Sequence, residues 1–578
     1  MVAFVAGAAL ALAACGGSGS ADAPPGETSA GGRGSEAIDP DREGPAAPID
    51  GAVAGGTVTV LADYTDFGAD AGGMWPLDPT VAYTVDTVSI LNGLVTRSLT
   101  QYVYDPEQDA MVLVPDLATD IGTPNADFTE WSFTIRDGVR FEDGTEVTAE
   151  DVAYGIKRSL DRKHFPKGPA YSNDYFLDGD SYKGVYTSGT EYAGVVVEGD
   201  TLTIKMQRPF PDMPYWGTFP AMGPIPEQGS DPDTYGQHPL ATGPYKFADY
   251  TPGESLTLVR NEEWDPGTDP GRHAYPDRYE FSFAPTERIE TTILGDSPQG
   301  QTTLTYQNVT EENYRRARRL DRLTVGPAPY TAMWCPDYRK ITDIRVRQAI
   351  GYAYPYTEDA EYFGQIAGVT RLFGSSTLPP GFPERQDYTV LDIEPGRADP
   401  DQAKVLLKQA GYAPGEYELI WPYIDDDPFS KGRTDLLVQS LEAAGFKTSP
   451  FPTSSADDFV TVLDDPDAPI NLRPCGIFAD WPAGNGWFPD AFKSEGSINR
   501  AYFAEPEVDA EIERISRLPI DEQPAAWAAL DKTIMTDYYP AVITGYDGDA
   551  MPHGSSIGGM NNDNTLAMPT WKDIHVMQ

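Results

Sequence analysis

Cysteine is scarce in this chain of 578 residues: only Cys15, Cys335 and Cys475 occur. Structural zinc sites and disulfide-built small folds both need clustered cysteines, so both are excluded. Cys335 and Cys475 read either as one disulfide, which an oxidising exterior permits, or as two unrelated buried thiols. Histidine is nearly as rare. His164, His238, His273, His553 and His575 are scattered without ligand spacing, and each reads as a solvated or hydrogen-bonded residue rather than a metal ligand or general base. Positive charge is also short. With 42 basic against 89 acidic residues the net charge is −47, which repels nucleic acid and anionic lipid head groups and keeps the surface soluble. A G-x-S-x-G elbow, an H-E-x-x-H zinc helix and a Walker loop are all missing. After the N-terminal fifteen residues there is no run of about 18 apolar residues. The expectation is a soluble, non-enzymatic body without a cofactor or metal.

The chain does have enough length for two or three domains, and 40% hydrophobic residues with which to build their cores. Met1 to Ala14 is apolar with small residues before Cys15, too short for the ~20 residues of a membrane span, and reads as a secretion signal. The tetrad Leu12, Ala13, Ala14, Cys15 resembles the bacterial lipobox, which implies cleavage before Cys15 and a diacylglycerol on its thiol. No Lys or Arg precedes Cys15, so the true start codon is expected upstream. Gly16 to Gly55 is rich in Gly, Ala, Pro, Ser and Asp, a composition that does not offset the entropy of ordering. A flexible tether is expected there.

From Gly56 onward short alternating strands mix with amphipathic helices and Gly/Pro turns, which predicts an α/β body. Strands are predicted at Thr57–Tyr64 and Trp131–Arg136, and a hairpin from Val195–Val197 and Thr201–Met206 around Glu198, Gly199 and Asp200. Thr148 is placed to cap a helix with Asp151 three residues on, followed by Val152, Ile156 and Leu160 on one face. Asp343 and Asp399 are placed to cap two more helices. A strand at Tyr417–Tyr423, a helix carrying Leu437 and Leu441 and a strand near Lys447–Phe451 predict a parallel crossover. The run Asp425, Asp426, Asp427 reads as a solvated loop. No repeat of 20 to 50 residues is present.

The segment IRDGVRFEDGTEVTAEDVAYGIKRSLD, Ile135 to Asp161, resembles the signature of family 5 of the extracellular solute-binding proteins, the peptide- and nickel-binding family of ABC importers. Leu77–Pro79 (LDP), Pro115–Asp120 (PDLATD), Ala241–Glu254 (ATGPYKFADYTPGE), Leu258–Trp264 (LVRNEEW) and Asp343–Tyr354 (DIRVRQAIGYAY) extend the resemblance in the family's order. Much of the signature is scaffold: Asp143 reads as a turn residue and Asp151 as a cap, not as catalytic groups. The resemblance implies a two-lobed periplasmic-binding-protein fold of the large type II class, with the ligand in a cleft between lobes. The organisation it implies is a signal at 1–14, a linker at 15–55, lobe 1 at 56–284, lobe 2 at 285–541 and a return to lobe 1 at 542–578. A subdomain would be inserted at about Val81 to Tyr215, with hinge crossings near Pro285 and Ala541–Tyr546.

The same resemblance implies a ligand site. GIFADWPAGNGWFPDAF, Gly476 to Phe492, looks like the family motif whose aspartate pairs with a peptide's α-amino group, and Asp480 occupies that position. A carboxylate facing an ammonium group in a water-poor site forms a charge-assisted hydrogen bond. Gly476, Ile477, Phe478 and Ala479 are placed to offer backbone groups to an extended peptide. Trp481 and Trp487 are candidate ligand-stacking residues beside a Gly-rich loop that departs from the family pattern, and Trp75, Trp334 and Trp421 are further candidates. A Cys335–Cys475 bridge would lie beside this loop. The expected partners are a short peptide, an ABC permease with its ATPase subunits, and the outer face of the membrane through lipid on Cys15. A monomer that binds no nucleic acid is expected. An oligosaccharide, a nickel chelate or a signalling peptide stands as the alternative cargo, with a surface hydrolase or a scaffold behind.

Overall fold

The computed structural model describes residues 38–63, 77–295 and 297–578, so Cys15, the signal, the tether as far as residue 37 and Trp75 lie outside the described residues. The tether expected to run to Gly55 is corrected from Ile38 onward. Ile38 bridges Leu113, and Asp39, Ala46 and Gly55 donate their backbone N–H groups to Leu113, Asp269 and Tyr275. Few apolar side chains are needed when the backbone of a segment is hydrogen-bonded to folded neighbours.

The chain divides into two units. The first holds the described residues up to Gly326 together with Arg514–Gln523 and Asp549–Gln578; the second holds Pro327–Glu513 and Pro524–Gly548. The first passage between units falls later than the Pro285 that the resemblance implies, because the chain after Pro285 stays on the sheet of the first unit. Thr286 N–H bonds Asp63, and Thr303–Leu304 adds a parallel strand to Thr59–Val60.

The first unit is built on strands β1 (Thr57–Ala62), β2 (Tyr245–Thr251), β3 (Ser255–Arg260), β4 (Arg278–Phe283) and β5 (Thr303–Leu304), in the order β5-β1-β4-β3-β2. β1 runs parallel to both neighbours and is buried on both faces after Thr57, as a central parallel strand must be. Val58, Val60, Leu256, Leu258, Tyr279, Phe281 and Trp571 form its core. A second, antiparallel sheet orders Thr123–Pro124, Glu130–Thr134, Thr201–Lys205 and Val195–Glu198, and contains the predicted hairpin. Against it lies α1 (Ala149–Ser159), opened by the Thr148/Asp151 capping box. Asp143 accepts from the N–H of Thr145 at 2.9 Å, closing the predicted turn.

A buried polar cluster interrupts these apolar cores. Arg97 and Arg272 meet Asp116 at 2.7 and 2.8 Å, and Arg272 also meets Asp269 at 3.1 Å, with all four side chains 0% exposed. Two cations and two anions cancel, and their desolvation is offset only while all four are present. Burial alone would raise the Asp269 carboxyl, but Arg272 and Arg97 outweigh it and hold it well below the usual carboxylate range.

The second unit is built on β6 (Leu323–Pro336), β7 (Arg371–Leu372), β8 (Leu472–Phe478) and β9 (Val542–Pro552), in the order β7-β9-β6-β8. The chain passes between units within β6 and within β9, and also at either end of Arg514–Gln523. Asp343 and Asp399 cap α2 (Ile344–Ala353) and α3 (Pro400–Gln409) as predicted. Asp427, assigned to a solvated loop, instead caps α4 (Pro428–Ala443), accepting from Phe429 and Ser430 N–H at 3.1 Å. Its Asp-Pro pair is the same start signal that opens α3. The predicted strand at Tyr417–Tyr423 is split: Glu418–Leu419 and Pro422–Ile424 run parallel to Lys447–Thr448 and Phe451–Thr453. The break falls at Ile420, whose N–H bonds Asn471 instead. The unit's last helix is α5 (Gln523–Thr533). Among the described residues no helix is long and apolar enough to cross a membrane.

Replacing Asp116 by Asn leaves two buried guanidinium groups short of an anion. Thermal unfolding followed by calorimetry is expected to show a loss of about 3–5 kcal/mol, against less than about 0.5 kcal/mol for exposed Glu107→Gln. The Asp269 carboxyl is depressed on folding, so its stabilisation is complete above pH ~4 and declines as pH falls toward the folded value.

Candidate functional site

β8 is an edge strand, paired on one side only, to β6, from Tyr330↔Phe478 to Pro336↔Leu472. The N–H of Ala479 bonds Pro329 O at 3.0 Å, which fixes the phase of the antiparallel ladder. Alternate residues face the partner strand, so Ala479, Ile477 and Cys475 bond toward β6. Gly476 and Phe478 direct their N–H and C=O groups to the open edge. Pro474, at the next outward position, has no N–H to leave unpaired. Asn471 and Leu472 N–H groups are taken by Ile420 O at 3.0 and 3.1 Å, so the open stretch is confined to the C-terminal half of β8. Phe478 is 38% exposed there.

Two local features fix this edge. Cys335 and Cys475 are joined by a disulfide with a Cα–Cα distance of 6.0 Å, a diagonal tie from β6 to β8 one residue before Gly476. Gly476 itself is required: a Cβ there would lie 2.2 Å from the Tyr330 hydroxyl. Burial pushes the Tyr330 phenol up to about 12, so it stays a neutral donor beside the strand. On β9, Asp547 pairs with Arg371 at 3.0 Å, and burial raises its carboxyl although Arg371 and Gln365 oppose the shift.

Beyond β8 the chain turns through Asp480 to Trp487. Asp480 is half-buried and stands two residues past Phe478, at the start of this turn. The loop is closed by Ala483 N–H to Trp481 O, Gly486 N–H to Ala483 O and Trp487 N–H to Gly484 O, at 2.8 to 3.0 Å. Gly484 lies on Trp527 of α5, where a Cβ would be 2.4 Å from the indole.

The tryptophans expected to line a ligand are placed otherwise. Trp487 is 0% exposed, stands edge-on to Phe382 at 5.6 Å and donates its indole N–H to Thr377 Oγ1 at 3.3 Å. Trp334 and Trp421 are each 2% exposed and pack on one another at 5.7 Å, with Tyr354 completing the cluster. Trp481 and Ala479 are also buried. As they stand these side chains are core, because a large ring gains most from full removal from water. Of the residues expected at the site, Phe478 is exposed and Asp480 half-buried, whereas Trp334, Trp421, Trp481 and Trp487 are buried.

Sequence reasoning missed the groups behind the loop. Asp531 is 1% exposed and accepts from Ser376, Thr377 and Tyr388 hydroxyls. Burial raises its carboxyl, while the Thr377, Tyr388 and Ser376 donors pull the other way. Glu384, 3% exposed, accepts the Gly484 N–H at 3.0 Å. The signal was present on α5, where Trp527 and Asp531 stand four residues apart and so share a face.

Known proteins are similar to this chain in sequence and fold. The family described as "Bacterial extracellular solute-binding proteins, family 5 Middle" matches residues 112–498. Heme-binding protein A of Haemophilus influenzae is 26% identical over 422 residues, 66% of this chain and 70% of that protein. The periplasmic oligopeptide-binding protein OppA of Salmonella typhimurium is 24% identical over 40% of this chain and 42% of its own. Among solved structures, Clavulanic acid biosynthesis oligopeptide binding protein 2 superposes with a TM-score of 0.78 at 22% identity, covering 93% of this chain and 99% of that one.

Gly484→Ala is expected to displace Trp527 or lift the loop, since 2.4 Å leaves no room for a methyl group. Overpacking of this kind costs about 1–3 kcal/mol, readable as a lowered unfolding midpoint. An unchanged midpoint together with an unchanged loop in a crystal structure of the variant would contradict the packing described.

Proposed function

Since the chain belongs to family 5 of the bacterial extracellular solute-binding proteins, we propose that its solute is a short peptide, delivered to the permease of an ABC importer. The observation that carries this reading is the open edge of β8 leading into Asp480. Gly476 and Phe478 offer a donor and an acceptor each at the two-residue spacing of an extended chain, which recognises peptide backbone whatever its side chains. Asp480 follows two residues after the strand and supplies the anion for an α-ammonium group. A sugar ring stacks on exposed aromatic faces; Trp481 and Trp487 are buried, which leaves Phe478 as the one exposed ring among these residues. Related proteins are named for oligopeptide and glutathione binding, which agrees with this choice. No bond of the ligand is made or broken in this scheme; binding energy alone selects the cargo.

Calorimetric titration with trialanine tests the site. Asp480→Ala is expected to weaken binding by about 2–5 kcal/mol, the effect of leaving a desolvated ammonium group without its partner. N-acetyl-trialanine should bind both proteins equally weakly. Undiminished affinity of the variant for trialanine, with the free amine still required, would remove Asp480 from the site.

The lipid tether is part of the same proposal. An extracytoplasmic capture protein must remain near its permease, and diacylglycerol on Cys15 holds it there through the Gly-, Ala- and Pro-rich segment that follows. Cys15→Ala is expected to abolish incorporation of labelled palmitate and to leave the protein out of the membrane fraction. Labelling that survives the substitution would refute the assignment.

A further inference from the structure

The loop from Asp480 to Trp487 is held from behind by polar groups that a purely apolar core would not need. Trp487 donates its indole N–H to Thr377 Oγ1 at 3.3 Å. Thr377 Oγ1 in turn lies 2.5 Å from Asp531 Oδ1, which also accepts the Thr377 N–H at 3.0 Å. The other carboxylate oxygen, Asp531 Oδ2, accepts from Ser376 and Tyr388 hydroxyls, both at 2.7 Å. An indole nitrogen only donates, so the Thr377 hydroxyl must accept from Trp487, and its single hydrogen is left for Asp531. The relay therefore has one direction, Trp487 to Thr377 to Asp531, and needs an acceptor at its end.

Thr377 has a second tie. Its carbonyl accepts from the hydroxyl of Thr331 at 2.9 Å, and Thr331 stands on β6 directly opposite Ile477 of β8. One residue thus refers both the open strand edge and the Asp480 loop to the same point. All four donors to Asp531 are neutral hydroxyl or amide groups, so this buried carboxylate is compensated by hydrogen bonds and not by a cation. Such an arrangement is a poor way to gain stability, but a directional one.

We propose that Thr377 is a positioning residue: through its relay to Asp531 it sets the place of the Asp480–Trp487 loop relative to β8, and ligand affinity depends on that placement. The proposal rests on the reading of this loop as the peptide-binding loop. Positioning acts here through geometry, since Thr377 is buried and makes its bonds to Trp487, Asp531 and Thr331.

The test uses the full-length protein with trialanine as the probe, and hydrogen exchange of the ligand-free protein as a readout that needs no ligand. Thr377→Val keeps the shape and removes the hydroxyl, whereas Thr377→Ser keeps the relay. Thr377→Val is expected to speed amide exchange across residues 484–487 and to weaken trialanine binding, each about tenfold, the effect of one hydrogen bond. Thr377→Ser should stay near wild type in both. Trp487→Phe, which keeps the ring on Phe382 but loses the N–H, should match Thr377→Val, and the double variant should be no weaker than either single one. If Thr377→Val does not fold, Trp487→Phe carries the same two readouts. Unchanged exchange in the hydroxyl-free variant, faster exchange with unchanged affinity, additive losses in the double variant, or a Ser variant as impaired as the Val variant would each overturn the proposal. Should wild type bind no peptide, the peptide reading fails and the exchange result alone decides whether the relay holds the loop.

Discussion

The antiparallel register between β6 and β8 is the constraint on which the candidate site depends. A shift of one residue would turn Gly476 and Phe478 toward β6 and leave Ile477 and Cys475 at the open edge. It would also separate the two cysteines, and it would place a side chain under Tyr330 where only hydrogen fits. The disulfide, the glycine and the outward-facing proline at position 474 all enforce the same register from different sides. A site that reads main chain rather than side chains needs this, because its specificity lies in where N–H and C=O groups point.

Charge is handled in two ways inside this strongly acidic protein. In the first unit two arginines neutralise two aspartates in a fully buried set. In the second unit Asp531 is satisfied by hydroxyl and amide donors alone. The first arrangement is compensated only while all four groups are present. The second is directional, since each hydroxyl in it has one hydrogen to give and that hydrogen is committed. This difference separates a stabilising network from one that holds a neighbouring loop in place.

Local structure was legible wherever a short-range rule decides it. Thr148 with Asp151, Asp343 and Asp399 cap their helices because a short polar side chain next to free N–H groups has a nearby optimum. Asp427 escaped the reading although it carries the same Asp-Pro signal as Asp399, because the surrounding acidic run looked solvated. The split at Ile420 was hidden for another reason: its N–H is claimed by Asn471, a residue 51 positions away that periodicity does not see. Segment 38–55 misled by composition, since its order comes from backbone bonds to distant loops and not from its own side chains.

By itself the sequence determined the family, the α/β class, most helix starts and the position of Asp480 in the chain, because each rests on contiguous residues or on an ordered series of motifs. Only the tertiary structure decided which tryptophans are core, which face of β8 is open, where the chain passes between its units and which carboxylates stand behind the loop. Those depend on partners such as Tyr330, Thr377 and Asp531, brought together from residues some 50 to 150 apart, and burial is a property of that assembly. The same Trp487 that reads as a ligand-stacking ring in isolation becomes, once Phe382 and Thr377 surround it, the donor that anchors the loop from behind.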